Sequence, residues 1–229
     1  MPEKFHPWIK VFRKKQSERM PIRKVWDHAI EVKEGFVLRK GKVYPLSREK
    51  REEVREFIQE QLRKGYIWPS KLPQMAPVFF VGKKDRKKWM VQDYRYLNEW
   101  TIKNNYLLPL ISDVLENIGM KKIFTKMDLR WGYNNMRIKE RDEWKVAFTT
   151  LEGFFEPIVM FFELTNLPAT FQAIMNKLLR DLINTEKVAA FIDNVIVGTE
   201  TEEKHDEIVA EVIRRLEEND LYVKPEKCK

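Results

Sequence analysis

The sequence predicts an α+β fold: an antiparallel sheet with helices packed on one face. Three observations lead there. Two apolar runs are each split by a short polar stretch, "APVFFVGKKDRKKWMVQDY" and "KVAAFIDNVIVGTE", and read as hairpins. Amphipathic runs with helical spacing lie between and around them. The resulting order is helix, hairpin, helix, strand, helix, hairpin, helix. It lacks the regular strand–helix alternation of a doubly wound parallel sheet.

Residues 1 to 45 carry mixed charge and little periodicity, and "ERMPIRKVWDHAIEVKEG" reads as extended, with one strand expected at "HAIEV". "LSREKREEVREFIQEQLRKGY" is a well-marked helix. Ser47 caps it, Gly65 ends it, and Val54, Phe57, Ile58 and Leu62 form its buried stripe. The first hairpin follows, with a basic tip. "LISDVLENIG" is a short helix stopped by Gly119, and "IFTKMDL" is an apolar strand that ends at Asp128. "NLPATFQAIMNKLLRDLIN" reads as one helix with Pro168 in its first turn and Phe171, Met175, Leu178 and Leu182 on one face. The second hairpin comes next. The helix "TEEKHDEIVAEVIRRLEEND" turns Ile208, Val212, Ile213 and Leu216 inward, and "LYVKPEKCK" begins a strand.

Composition narrows the class. A chain of 229 residues, 43% hydrophobic and 34% charged, can bury a core and is not a disordered tail. Its net charge of +8 favours polyanions, nucleic acid being the commonest. The single cysteine, Cys228, cannot form an internal disulfide, which points to a reducing, intracellular compartment, cytoplasmic or nuclear. His6, His28 and His205 are too scattered for a zinc site. No apolar stretch reaches the roughly 18 residues needed to span a membrane, and the N-terminus lacks a signal-peptide core.

Two carboxylates stand where apolar strands end or turn: Asp128 after "IFTKM" and Asp193 between "AAFI" and "VIV". If the two strands pair, both converge on one end of a sheet. Oxygen ligands on rigid strands suit Mg²⁺. The spacing alone equally allows buried salt bridges, with Lys126 and Arg130 as the near partners.

"VFFVGKKD", "VQDYRYLNEWTIKNNYLLPLI", "KMDLRWGYNNMRI", "FFELTNLPATFQAIMN", "FIDN" and "KPEKC", in this order along the chain, resemble the reverse transcriptase of gypsy-class long-terminal-repeat retrotransposons. The resemblance implies a right-hand polymerase. Residues 1–45 would be an extension preceding the core, 46–105 and 136–164 the fingers, and 106–135 and 165–229 the palm. In the family the primer grip, thumb and ribonuclease H would follow "KPEKCK"; a dimer or another chain would supply them. Asp128 and Asp193 would be catalytic and would hold Mg²⁺ or Mn²⁺ in a two-metal site, with position 194 as the third member. Lys83 and Lys84 would meet the incoming deoxynucleoside triphosphate. Tyr133 would be an aromatic gate under the sugar, with a core Tyr as the bland alternative; Phe162 would be nucleotide-binding; and Gln172 would lie near template and nucleotide, with a solvent-facing Gln as its bland alternative. Asp93, Tyr94 and Arg95 would buttress the fingers. Partners would be an RNA or DNA template–primer and no membrane.

Departures from the family pattern bear on activity. Asn194 stands where the family has Asp, Trp89 where it has a triphosphate-gripping Arg, and Arg86 and Glu163 where it has Gly. Leu167, Leu107 and Leu72 replace Ser or Ala, Pro and Ser. Asn194 removes one charge that would balance metal and triphosphate. Trp89 removes a planar cationic clamp, and Glu163 adds a negative charge to the phosphate pocket. Three readings follow: a weakened polymerase, an inactive nucleic-acid-binding or interaction module, and a decayed copy with no selected role. Asp to Asn, Arg to Trp, Gly to Glu, Gly to Arg, Ser to Leu and Pro to Leu are each reachable by one C→T or G→A change, which motivates the hypothesis of cytosine deamination in a genomic copy. A balanced spectrum of transitions and transversions against intact copies would sink it.

Overall fold

A computed structural model describes residues 3–39, 44–72, 76–82, 88–119, 121–130, 134–161 and 163–229. The chain divides into two compact units. The first comprises Met1–Arg19, Asn104–Asn135 and Pro168–Lys229, and the second Met20–Lys103 and Met136–Leu167.

A 3-10 turn (Glu3–Trp8) leads into two single-turn helices of the first unit, α1 (Ile9–Phe12) and α2 (Lys14–Ser17). Val11 anchors α1 by complete burial. The strand expected at "HAIEV" does not form. Only isolated bridges join His28 to Ile138 and Val32 to Thr101. The reason is competition from side chains. Asp142 Oδ2 accepts from Ile30 N at 2.8 Å, and Lys145 Nζ donates to Ile30 O at 2.6 Å. The groups a ladder would use are already taken.

The second unit holds α3 (Arg48–Lys64), β1 (Ile67–Pro69), β2 (Ala76–Gly82), β3 (Lys88–Gln92) and α4 (Arg95–Trp100). Ser47 Oγ accepts from Lys50 N, and Gly65 closes α3 at φ +74°. Val54 and Ile58 are buried as expected, but Gln61 completes the face and Leu62 is 39% exposed. Positions i, i+4 and i+7 share a stripe, and Leu62 has rotated past its edge. The first hairpin forms as expected, with Phe80 opposite Met90.

α5 (Ile111–Ile118) and β4 (Ile123–Arg130) return to the first unit. The second unit then gains β5 (Phe148–Thr150) and β6 (Gly153–Pro157), giving a sheet ordered β1-β6-β5-β2-β3 in which only the β2–β5 pair is parallel. Its core gathers Val54, Ile58, Tyr66, Phe148, Phe155 and Phe161.

The first unit is completed by α6 (Leu167–Leu178), α7 (Arg180–Asn184), β7 (Val188–Phe191), β8 (Asn194–Thr199), α8 (Glu202–Glu218) and β9 (Tyr222–Val223). The helix expected to run unbroken through "NLPATFQAIMNKLLRDLIN" is interrupted at Leu179, which is fully buried; Leu178 and Leu182 are only half-buried. Arg215 Nη1 donates to Leu178 O at 3.0 Å, satisfying a carbonyl at the break. The sheet is wholly antiparallel, in the order β7-β8-β4-β9. Side chains alternate across it. Thr125 and Thr199 meet His205 of α8, and Val209, Val212, Ile213 and Leu216 are buried on that helix, while Ile208 is half-buried. Ala189 and Ile196 face the other way, against Val114 and Ile118 of α5. Gly198 is needed there: an added Cβ would lie 2.7 Å from Ile118 Cγ2. Among the described residues no helix is long and apolar enough to cross a membrane.

Candidate functional site

The β7–β8 hairpin carries the site. Phe191 pairs with Asn194, so Ile192 and Asp193 form a two-residue turn. Ile192 sits at φ +52°. That is the left-handed region, where a β-branched side chain is strained by roughly 1–2 kcal/mol. A buried brace holds it. Gln172 of α6 is fully buried; its Oε1 accepts from Ile192 N at 2.7 Å, and its Nε2 donates to Ala190 O at 2.9 Å. Asn176 Oδ1 accepts from the same Nε2 at 2.9 Å. The solvent-facing alternative for Gln172 is thereby overturned.

Asp128 lies at the centre of a row across three strands. Asn194 is its partner on β8. On its other side the β9 register, Leu129 opposite Val223, brings Lys224 alongside, and Lys224 N donates to Asp128 O at 2.8 Å. Residues directly opposite in a sheet share a face. Asp128 Oδ1 accepts from Lys224 Nζ at 2.6 Å, and Lys227 Nζ lies 3.6 Å from Oδ2. Asp193 is tied to the row through its backbone, where its carbonyl accepts from Leu129 N at 2.7 Å. Its carboxylate Oδ1 accepts from Asn194 Nδ2 at 3.0 Å.

The structure therefore brings Asp128, Asp193, Asn194 and Gln172 together, and adds two lysines. Sequence reasoning named Lys126 and Arg130 as salt-bridge partners for Asp128. Arg130 is instead engaged by Glu226, at 2.9 and 3.0 Å, and the partners of Asp128 are Lys224 and Lys227. "KPEKC" was legible as a motif, but only the β9 register assigns its lysines to this carboxylate.

The donors fit a hard divalent cation. Asp128 on β4 and Asp193 in the β7–β8 turn offer carboxylate oxygens, and Asp128 already holds ammonium groups, so positive charge is at home there. Asn194 Oδ1 is a neutral oxygen. Asp128 and Asp193 would hold the ion. Among the described residues no group of three or more His, Cys, Asp or Glu gathers for a metal, and the residue opposite Asp128 on β8, Asn194, is neutral.

Lys83, Lys84, Arg86, Tyr133 and Phe162 lie outside the described residues. For Trp89 only the backbone is described, in β3 opposite Val81. Glu163, in the second unit, stands at φ +83°, with its carbonyl accepting from Asn98 Nδ2 at 2.6 Å. A backbone that glycine adopts freely here carries a Cβ. Asp93 is gripped by the Arg95 guanidinium, at 2.7 and 2.8 Å, which holds its carboxyl below the usual range. Tyr94 is buried, its hydroxyl donating to Val146 O at 2.7 Å, and burial pushes its pKa up.

The family model for reverse transcriptase (RNA-dependent DNA polymerase) matches residues 81–229. The Transposon Tf2-7 and Tf2-3 polyproteins of Schizosaccharomyces pombe are each 35% identical over 185 residues, 81% of this chain. The chain spans 14% of their length. Among solved structures, the foamy viral protease-reverse transcriptase in complex with RNA/DNA hybrid is similar at TM-score 0.83 and 21% identity, over 98% of this chain and 30% of that one. The same protein in complex with dsDNA is similar at TM-score 0.84 and 21% identity, over 99% of this chain and 46% of that one. At that identity the likeness is one of fold.

Proposed function

The chain belongs to the reverse transcriptase (RNA-dependent DNA polymerase) family, and we propose that it is part of the RNA-directed DNA polymerase of a retrotransposon polyprotein, with nucleotidyl transfer reduced by its own substitutions. The observation that carries this reading is the row of Asn194, Asp128 and Lys224, with Asp193 in the adjoining turn. Asp128 and Asp193 would hold Mg²⁺ or Mn²⁺, which when bound would supply charge stabilisation for a primer 3′-oxygen and a leaving pyrophosphate. The chain's own residues do the positioning. β4 fixes Asp128, Leu129 N fixes the Asp193 backbone, and Gln172 keeps the turn in its strained shape. Lys83 and Lys84 meet the triphosphate, Tyr133 crowds a ribose 2′-OH and so favours deoxynucleotides, and Phe162 contributes to nucleotide binding. The template–primer follows the basic charge of +8.

Asn194 accepts an ion through one neutral oxygen and supplies no charge. Trp89 replaces a phosphate clamp, and Glu163 adds a repelling charge. Each 1.36 kcal/mol lost from the transition state is about tenfold in rate. A second reading, nucleic-acid binding without chemistry, is favoured by the two lysines that already neutralise Asp128.

Primer extension on an RNA template with Mg²⁺ or Mn²⁺ tests both, comparing the chain with the Asn194→Asp, Trp89→Arg double variant. Weak extension that the double variant raises supports reduced transfer. Extension by the unmodified chain at the double variant's rate overturns it. Salt-dependent binding with no extension by either protein supports the second reading, and failure to bind defeats both.

A further inference from the structure

We infer that Lys224, assisted by Lys227, is an internal counter-ion of Asp128 that competes with a divalent cation for that carboxylate. The inference rests on the metal-site reading above and deepens it. Asp128 is the central member of its row, with a side chain only 12% exposed. A carboxylate so placed needs positive charge whether or not a metal is present. Both of its oxygens have it: Lys224 Nζ at 2.6 Å from Oδ1 and Lys227 Nζ at 3.6 Å from Oδ2.

The segment that brings these lysines is complementary to β4 in charge. Glu226 takes Arg130, which leaves both lysines to Asp128. Backbone bonds fix the strap: Lys224 N to Asp128 O at 2.8 Å, Lys126 N to Lys229 O at 2.8 Å, and Lys229 N to Lys126 O at 3.1 Å. Cys228 Sγ donates to Lys224 O at 3.3 Å. Lys224 is therefore held against the carboxylate from its own backbone, while Lys227, 58% exposed, reaches in from solvent.

The neighbours set the balance. Asn194 is neutral, so the two carboxylates are matched by two ammonium groups from within the chain. A divalent cation at Asp128 must displace Lys224 Nζ or share the carboxylate with it. The lysines thus set cation affinity, and Asn194 biases the competition in their favour.

Mn²⁺ binding to the full chain, read by electron paramagnetic resonance and alongside melting in EDTA, tests this. Lys224→Met is expected to bind Mn²⁺ at least tenfold more tightly than the unmodified chain and to melt lower in EDTA, with Mn²⁺ restoring the difference. Lys227→Met is expected to tighten binding two- to threefold with little effect on melting. It keeps the test open if Lys224→Met does not fold. Asp128→Asn separates the two levels of inference. If it binds Mn²⁺ as the unmodified chain does, or if no variant binds at millimolar Mn²⁺, the metal-site reading fails and this one with it. If Asp128→Asn abolishes binding but neither lysine variant tightens it, the counter-ion inference alone is overturned.

Discussion

Two charged clusters, one in each unit, look alike in composition and differ in wiring. In the second unit, Arg23, Asp27, Asp142, Glu143 and Lys145 are bonded to one another and to the backbone. Arg23 reaches Ile138 O at 2.9 Å and Glu143 at 2.6 Å; Asp142 and Lys145 take both polar groups of Ile30. In the first unit, Asp128, Asp193, Asn194, Lys224 and Lys227 bond side chain to side chain at the ends of strands. There the backbone ladder is complete without them. A cluster that replaces missing backbone bonds is a staple. A cluster spared that task is available for a ligand.

The sharpest way to break this contrast is chemical. Restoring charge in the first cluster and the clamp in β3, by Asn194→Asp with Trp89→Arg, is expected to raise primer extension by at least about a hundredfold, about 3 kcal/mol of barrier. No gain would place the first cluster with the staples. Next in size is Asp142→Ala, which strands Ile30 N and takes from Lys145 its carboxylate partner. Urea unfolding should show a loss of about 2–3 kcal/mol.

The staple also has a pH dependence. His28 bridges to Ile138 beside this cluster, and burial lowers its pKa from 6.5 to about 4. Its folded state favours the neutral ring, so between these values the unfolded chain binds more protons. Stability is full above pH 6.5 and falls as pH drops toward 4, by on the order of 2 kcal/mol. Urea midpoints across that window check it, and His28→Gln should flatten the slope.

Smaller effects sharpen the comparison. Glu163→Gly relieves a left-handed backbone and is expected to raise the unfolding free energy by about 0.5–1 kcal/mol. Asp128→Asn should change it by no more than about 0.5 kcal/mol, because Lys224 and Lys227 are 24% and 58% exposed and can turn to water. A loss near that of Asp142→Ala would make the first cluster structural after all.

Much of the molecule was legible in the sequence for local reasons. Ser47 and Gly65 mark a helix because caps act within one turn. "VAAF" and "NVIV" mark a hairpin because apolar residues on both sides of a polar pair fit a buried strand on each side of a turn. Asp128 and Asp193 were legible as a pair because carboxylates at the ends of apolar strands are costly without a purpose. The "HAIEV" strand was misread because its backbone partners are side chains more than a hundred residues away. The unbroken helix was misread because the break at Leu179 is supported by Arg215 from another helix.

The sequence by itself determined most of the helices, the two hairpins, the family and the presence of Asn194, since each is a matter of residue type and short spacing. Only the tertiary structure decided what surrounds the two carboxylates. The β4–β9 register aligned Lys224 with Asp128, the Glu226–Arg130 pair freed the lysines for it, and Gln172 crossed from α6 to hold Ile192 in a strained turn. Register and cross-element side-chain bonds join residues distant in the chain, and no local pattern encodes which of several nearby charges will meet.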